Sequence, residues 1–187
     1  MKERVDLHVA QHVAGKYIDL LKPFCDRIQV AGSVRRKRPR VGDIEIVCIP
    51  KTVVTKDGMF HEQTVRAPGF AKALSDANVN LLKGDPRTGK YTQMMTTEGI
   101  QIDLFMPNKD NWGRIYMIRT GSSEFSQFMA GRWVKWGYKA IDGVLWEVDE
   151  FKNPLRIVTT PTEKSIFELL SLKVVPPHKR NQKGLPR

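Results

Sequence analysis

Ala31-Gly32-Ser33-Val34-Arg35-Arg36 runs on to Gly42-Asp43-Ile44-Glu45-Ile46-Val47, and Gln101-Ile102-Asp103-Leu104-Phe105 follows further along the chain. Successive side chains of a strand point to opposite faces. A strand over Asp43–Ile49 therefore puts Asp43 and Glu45 on one face and Ile44 and Ile46 on the other. Asp103 sits in a second run of the same kind, with Ile102 and Leu104 facing away from it. If the two strands pair, three carboxylates converge, and hard oxygen donors suit Mg²⁺. The Gly32-Ser33 turn ahead of a short helical segment offers backbone N–H groups and a hydroxyl to phosphate, and Arg36 adds a bidentate cation.

The chain has 187 residues, enough for one medium domain or two small ones with a real core. No apolar run of about 18 residues marks a membrane span. The N-terminus, with Lys2, Glu3, Arg4 and Asp6, lacks the apolar segment of a secretion signal. Cys25 and Cys48 have no metal-ligand spacing and read as free buried thiols of a reducing compartment. The expectation is an intracellular protein, cytoplasmic or nucleoid-associated, and not a secreted one.

The formal net charge is +11. A basic chain without a membrane signature is suited to polyanions, nucleic acid first among them. The charge is clustered: Arg35, Arg36, Lys37, Arg38 and Arg40 flank the Gly-Ser turn, and Lys179, Arg180, Lys183 and Arg187 mark the C-terminus.

Residues 5–24 carry Val9, Val13, Tyr17, Leu20, Leu21 and Phe24 at helical steps. On this helix His8 and His12 stand at i and i+4 but lack a third ligand, and they read as surface histidines. Strands are expected over 27–31 and 43–49, a helix over 68–78, a hairpin of 79–82 with 91–97, and a strand over 100–105. A composition shift at Pro107-Asn108 divides the chain into 1–107 and 108–187. Beyond it Phe125, Phe128, Met129, Trp133 and Trp136 form an apolar helical stripe capped by Gly137. Short strands are expected over 141–148 and 155–159. A last helix is predicted with Thr160 as N-cap, Pro161 in its first turn and Glu163 closing a capping box, before Pro176-Pro177 ends regular structure.

With these motifs in place, Val30–Arg36 through Gly42–Glu45 resembles the palm motif of family X DNA polymerases, the polymerase beta group of the nucleotidyltransferase superfamily. Lys83-Gly84-Asp85, Gln101–Leu104, Thr120-Gly121-Ser122, Gly137-Tyr138 and the segment from Pro161-Thr162-Glu163 to Pro176-Pro177 follow in the family's order. The resemblance implies an α+β fold: a palm of mixed β-sheet packed on helices, then a small α/β thumb. It implies that Asp43, Glu45 and Asp103 hold two Mg²⁺ ions, or Mn²⁺, and that Gly32, Ser33 and Arg36 bind the outer phosphates of a dNTP. Thr120, Gly121 and Ser122 would form the turn against the sugar. DNA would be met by Arg35, Lys37, Arg38 and Arg40, and by Arg132 and Lys135.

The partner implied is a DNA primer–template or gapped DNA, and the enzyme is expected to act as a monomer. About 25 residues precede the palm motif, so the expected form is a reduced palm-plus-thumb enzyme like those of some viruses and phages. The sequence departs from the family pattern in Glu45 for Asp, in Ile118-Arg119 before the Thr-Gly-Ser turn, and in Ser126 and Ala130 on the following helix. Two other readings stay open: untemplated nucleotide addition to DNA or RNA ends, and a catalytically silent nucleic-acid-binding module.

Overall fold

The computed structural model describes residues 4–57 and 61–185, with the side chains of Asp57, His61 and Gln182 outside the description. Lys2, Glu3 and Arg187, named above, also lie outside it. The chain forms two compact units, Met1–Val30 with Arg38–Met106, and Ala31–Lys37 with Pro107–Arg187. The sequence places residues 31–37 with the first half. In the structure they belong to the second unit, because their single helical turn packs on a helix that begins at Trp112.

The first unit opens with β1 (Val5–Asp6), α1 (Leu7–Leu21), a 3₁₀ turn (Lys22–Phe24) and β2 (Cys25–Val30). The chain then passes through α2 (Gly32–Arg35), which belongs to the second unit, and returns at β3 (Arg40–Val41). Next come β4 (Ile44–Pro50), β5 (Thr52–Asp57), β6 (His61–Arg66), α3 (Pro68–Asp76), β7 (Asn80–Lys83), β8 (Tyr91–Met95) and β9 (Gln101–Phe105). Five strands make one sheet in the order β2-β4-β9-β8-β7. Its β4–β9 pair is parallel and its other pairs are antiparallel. The β5–β6 ribbon stands as a separate two-stranded sheet that the sequence reading does not anticipate.

Burial follows the strand alternation around the carboxylates and fails beyond them, where Val47 and Phe105 are buried on the other face as well. Ile44, Ile46 and Cys48 of β4 and Ile102 and Leu104 of β9 are wholly buried, and α1 packs against β2, β4 and α3. From α1 come Ala10, Val13, Ala14, Tyr17 and Leu21, and from α3 Phe70, Ala73 and Leu74. Val9 is exposed instead of lying on the apolar face, because the two alanines let the helix approach the sheet on the adjoining stripe. His8 and His12 are both exposed, as expected. Cys25 and Cys48 are free and buried. The Cys48 thiol donates a hydrogen bond to Cys25, and this bond together with burial holds it well above the ordinary thiol range.

In the second unit α4 (Trp112–Thr120), α5 (Ser123–Lys135) and α6 (Glu163–Leu169) accompany the antiparallel sheet β10 (Tyr138–Ile141), β11 (Val144–Val148) and β12 (Pro154–Val158). Two 3₁₀ turns, Pro177–Lys179 and Gln182–Gly184, close the chain. The core gathers Met117, Phe125, Met129, Trp133, Leu145, Ile166, Phe167, Leu170 and Leu172. The strand expected over 141–148 is β11 with the end of β10, and the rest of β10 is not anticipated; Asp142 (φ 50°) and Gly143 (φ 83°) form a tight hairpin turn between the two.

The last helix also starts later than expected. Thr162, not Thr160, is its N-cap, and the capping box closes through Ser165. Glu163 is thereby released for longer-range bonds. Among the described residues no helix is long and apolar enough to cross a membrane.

Gly113 is one of the most tightly packed positions of this unit. Its N–H donates to Thr160 O at 2.7 Å, and a Cβ placed on it would lie 1.9 Å from Thr162 O. The obstructing atoms are backbone, so the segment around Thr162 must move to admit a methyl group. Gly113→Ala should destabilise the protein by roughly 1–3 kcal/mol, at the upper end of the cost of overpacking. An unchanged denaturant midpoint would refute this account of the contact.

Candidate functional site

The parallel pairing of β4 with β9 sets Ile44 opposite Ile102, Glu45 opposite Asp103 and Ile46 opposite Leu104. Because the two strands alternate in phase, the apolar residues share the covered face and the two carboxylates share the other. Both carboxylates are half-buried, as is Asp43, which lies one residue ahead of β4. The register thus joins Glu45 and Asp103 directly, with Asp43 two residues from Glu45 in the chain. Among the described residues no three His, Cys, Asp or Glu side chains form a ready-made metal cluster.

Asp103 is firmly oriented. Its Oδ1 accepts hydrogen bonds from Gln101 Nε2 at 2.9 Å, Tyr91 Oη at 3.1 Å and Gln93 Nε2 at 3.1 Å. Gln93 also donates to Tyr91 Oη at 3.0 Å, and the Tyr91 ring packs on Phe105 with centroids 5.1 Å apart. Gln93 is the β8 partner of Asp103, so the polar row Glu45–Asp103–Gln93 crosses three strands. Neutral amide and phenol donors hold one carboxylate oxygen without neutralising its charge. The set fits a hard divalent cation, whose protein ligands are commonly fixed by such outer partners. The sequence reading names none of Tyr91, Gln93 or Gln101; their period-two spacing beside Asp103 is the signal that marks them.

The second unit holds the other predicted residues except Arg38 and Arg40, which belong to the first. Gly32 opens α2 at φ 59°, a left-handed conformation that a side chain rarely adopts, and Ser33 follows half-buried. Arg36 donates from Nη1 to the carbonyls of Thr120 at 2.6 Å and Gly121 at 2.8 Å. It therefore ties α2 to the Thr120-Gly121-Ser122 turn, the other predicted nucleotide element. Ser122 is the N-cap of α5, accepting from Phe125 N at 3.3 Å, and its own N–H donates to Arg180 O at 3.1 Å.

Arg35, grouped by sequence with the DNA-facing cations, is engaged inside the unit. It grips Glu163 through two bonds of 2.7 Å, donates to Thr120 Oγ1 at 2.7 Å, and lies 3.8 Å from the centroid of the Tyr116 ring. Arg180, only 1% exposed, bonds the same Glu163 carboxylate and donates to Val175 O at 2.8 Å. Lys37, Arg38 and Arg40 are exposed, with Arg40 paired to Asp6 at 2.8 Å. Arg132 and Lys135 occupy the last turn of α5, where cations suit the helix dipole.

The family model of the DNA polymerase beta thumb matches residues 116–181. This supports a relationship to family X polymerases and a role in binding DNA. The matched span runs from Tyr116 through Glu163 to Arg180, and so contains most of the charge cluster just described. No curated protein matches the chain.

Glu163 is the hinge of that cluster. Burial opposes its ionisation, but hydrogen bonds from Arg35 and Arg180 outweigh burial and hold its carboxyl below the usual glutamate range. A group depressed in the folded state contributes stability above its unfolded pKa and loses it as pH falls toward the folded one. Glu163→Gln would leave Arg180 buried without its counter-charge, a loss of roughly 3–5 kcal/mol at neutral pH. The gap between the two proteins should begin to narrow below the ordinary glutamate range, where the unfolded chain's carboxyl protonates, and close further as the depressed folded carboxyl protonates in turn. Denaturant unfolding across that range tests both the size and the sign; a gap that widens in acid would refute the assignment.

Proposed function

We propose that the chain is a metal-dependent nucleotidyltransferase that adds dNMP from a dNTP to the 3′-hydroxyl of a DNA primer, as a polymerase of the family X type acting in gap filling or short synthesis. The observation that carries this reading is the in-register pairing of Glu45 with Asp103, joined to a thumb match in the same chain. Glu45 and Asp103, with Asp43, are the oxygen donors for the metal. When bound, two Mg²⁺ or Mn²⁺ ions would supply the Lewis acidity that activates the primer hydroxyl and offsets charge on the transferred phosphoryl group. A Mg²⁺ site commonly uses one or two protein carboxylates plus water and substrate phosphates, so a complete protein cage is not required.

The chain's own residues orient and hold the reactants. Tyr91, Gln93 and Gln101 fix the direction of Asp103 by gripping one of its oxygens. Gly32, Ser33 and Arg36 are the residues for the outer phosphates of the nucleotide, and Thr120-Gly121-Ser122 for its sugar. Arg36 links these two groups by its bonds to the Thr120 and Gly121 carbonyls. Lys37, Arg38, Arg40, Arg132 and Lys135 are the cations for the DNA backbone. Arg35 supports α2 from within through Glu163.

The test is extension of a labelled primer–template with each dNTP or NTP in turn and Mg²⁺ or Mn²⁺. Addition of dNMP only opposite the templating base is the expected result. Untemplated tailing would select terminal transfer, and binding without extension would reduce the protein to a DNA-binding module. Asp103→Asn should lower the rate at least about a hundredfold while leaving primer–template affinity nearly intact. Full activity in that variant removes Asp103 from the site.

Gln101→Ala, which frees Asp103 of one restraint, should cost roughly 10- to 100-fold in rate or in metal dependence. Titration of activity with Mg²⁺ distinguishes the two contributions. An unchanged titration curve and rate would show that Gln101 positions nothing.

A further inference from the structure

Along α5 the side chains at 125, 129 and 133 are buried at four-residue steps, and the sequence extends the stripe to Trp136. The helix, however, ends there. Trp136 is the C-cap at φ −90° and ψ 12°, and Gly137 turns the chain at φ 79°. Trp136 is consequently 45% exposed, its indole turned away from the core that takes Trp133.

The surroundings of that indole are cationic. The Arg132 guanidinium lies over the ring, 5.8 Å from its centroid. Lys135 precedes it on α5, and Lys139 follows on β10; both are exposed. Between Glu124 and Asp142 the chain carries no carboxylate at all. Lys139 is also the cross-strand partner of the half-buried Trp146, which pairs in turn with Ile157. This row lies on the sheet face opposite the buried Leu145.

An exposed indole with a guanidinium over its ring and exposed lysines on either side of it in the chain fits a partner that is itself a flat ring joined to phosphates. In a paired duplex all base faces except those of the end pairs are covered by their neighbours, so away from a duplex end only an unpaired base can lie on the indole. Base–aromatic stacking of this kind is tolerant of sequence.

We propose that Trp136, with Arg132, Lys135 and Lys139, is a stacking platform for an unpaired nucleotide of single-stranded DNA. This rests on the reading above that DNA is the partner, and it adds a residue and a strand state to that reading. Trp136 supplies the face, and the three cations meet the phosphates on either side of the stacked base.

The experiment is fluorescence anisotropy with a labelled oligothymidylate of about 16 nucleotides, within the site sizes single-strand binders cover. A blunt duplex of equal length serves as the second ligand, and salt is varied for both. Trp136→Ala should weaken single-strand binding roughly 5- to 150-fold and leave duplex binding within about twofold, while Trp136→Phe stays within about threefold of the wild type. The salt slope should be unchanged in Trp136→Ala. It should fall by about 0.7 for each lost phosphate contact in Lys135→Gln/Lys139→Gln, a variant confined to exposed side chains.

Equal single-strand affinity of wild type and Trp136→Ala overturns the platform, as does an equal loss on both ligands. A wild type that binds duplex but not the single strand overturns it too, while leaving DNA as the partner. If the wild type binds neither, the DNA reading itself falls.

Discussion

The parallel register between β4 and β9 is the constraint from which the first unit's chemistry follows. Two strands paired in phase cannot choose independently which residues they bury: setting Ile46 against Leu104 in the core sets Glu45 against Asp103 on the other face. A slip of either strand by one residue would push its carboxylate into the apolar layer, at a desolvation cost of several kcal/mol. The same burial that stabilises the sheet thereby holds two like charges side by side.

The second unit is organised around charges of opposite sign. Glu163 joins Arg35, from a helical turn far upstream, to Arg180 near the end of the chain. Tyr116, Phe125 and Phe167 lie over or beside these guanidiniums and shield them from water. An ion pair so placed gains little over a well-packed apolar cluster, but it is unforgiving of a missing member. It therefore fixes which parts of the chain must meet, and the Gly32-Ser33 turn and the Thr120-Gly121-Ser122 turn meet because of it.

Local periodicity made the strands of the first unit legible. Asp43, Glu45 and Asp103 alternate with isoleucine and leucine over short windows, and no distant residue is needed to see it. The Asp142-Gly143 turn was equally visible in two letters, yet the apolar residues on either side read as one continuous strand. Other features were hidden for physical reasons. Helix α4 buries Gly113, Arg114 and Thr120 beside Trp112, Tyr116 and Met117 and leaves Ile115 and Ile118 less covered, so no apolar stripe announces it. Thr160 and Thr162 are competing caps, and the winner was settled by Ser165 and by Glu163's attachment to two arginines. The last of these is a contact across 128 residues that no window reveals. The exposure of Trp136 likewise depends on where the helix stops, one turn beyond its last buried position.

The interleaved order of the two units has a consequence for how the polypeptide is made. Residues 31–37 leave the ribosome long before the segment they pack with, since Glu163 and Arg180 are translated more than a hundred residues later. Until then the guanidinium of Arg35 has only solvent for company, and the early half must mature around a strap that it does not own. A fragment cut at Pro107 inherits the mirror defect: it keeps the acidic anchor and loses the basic turn that closes on it. Dissection of this protein at its apparent seam therefore separates pieces that folding has sewn together.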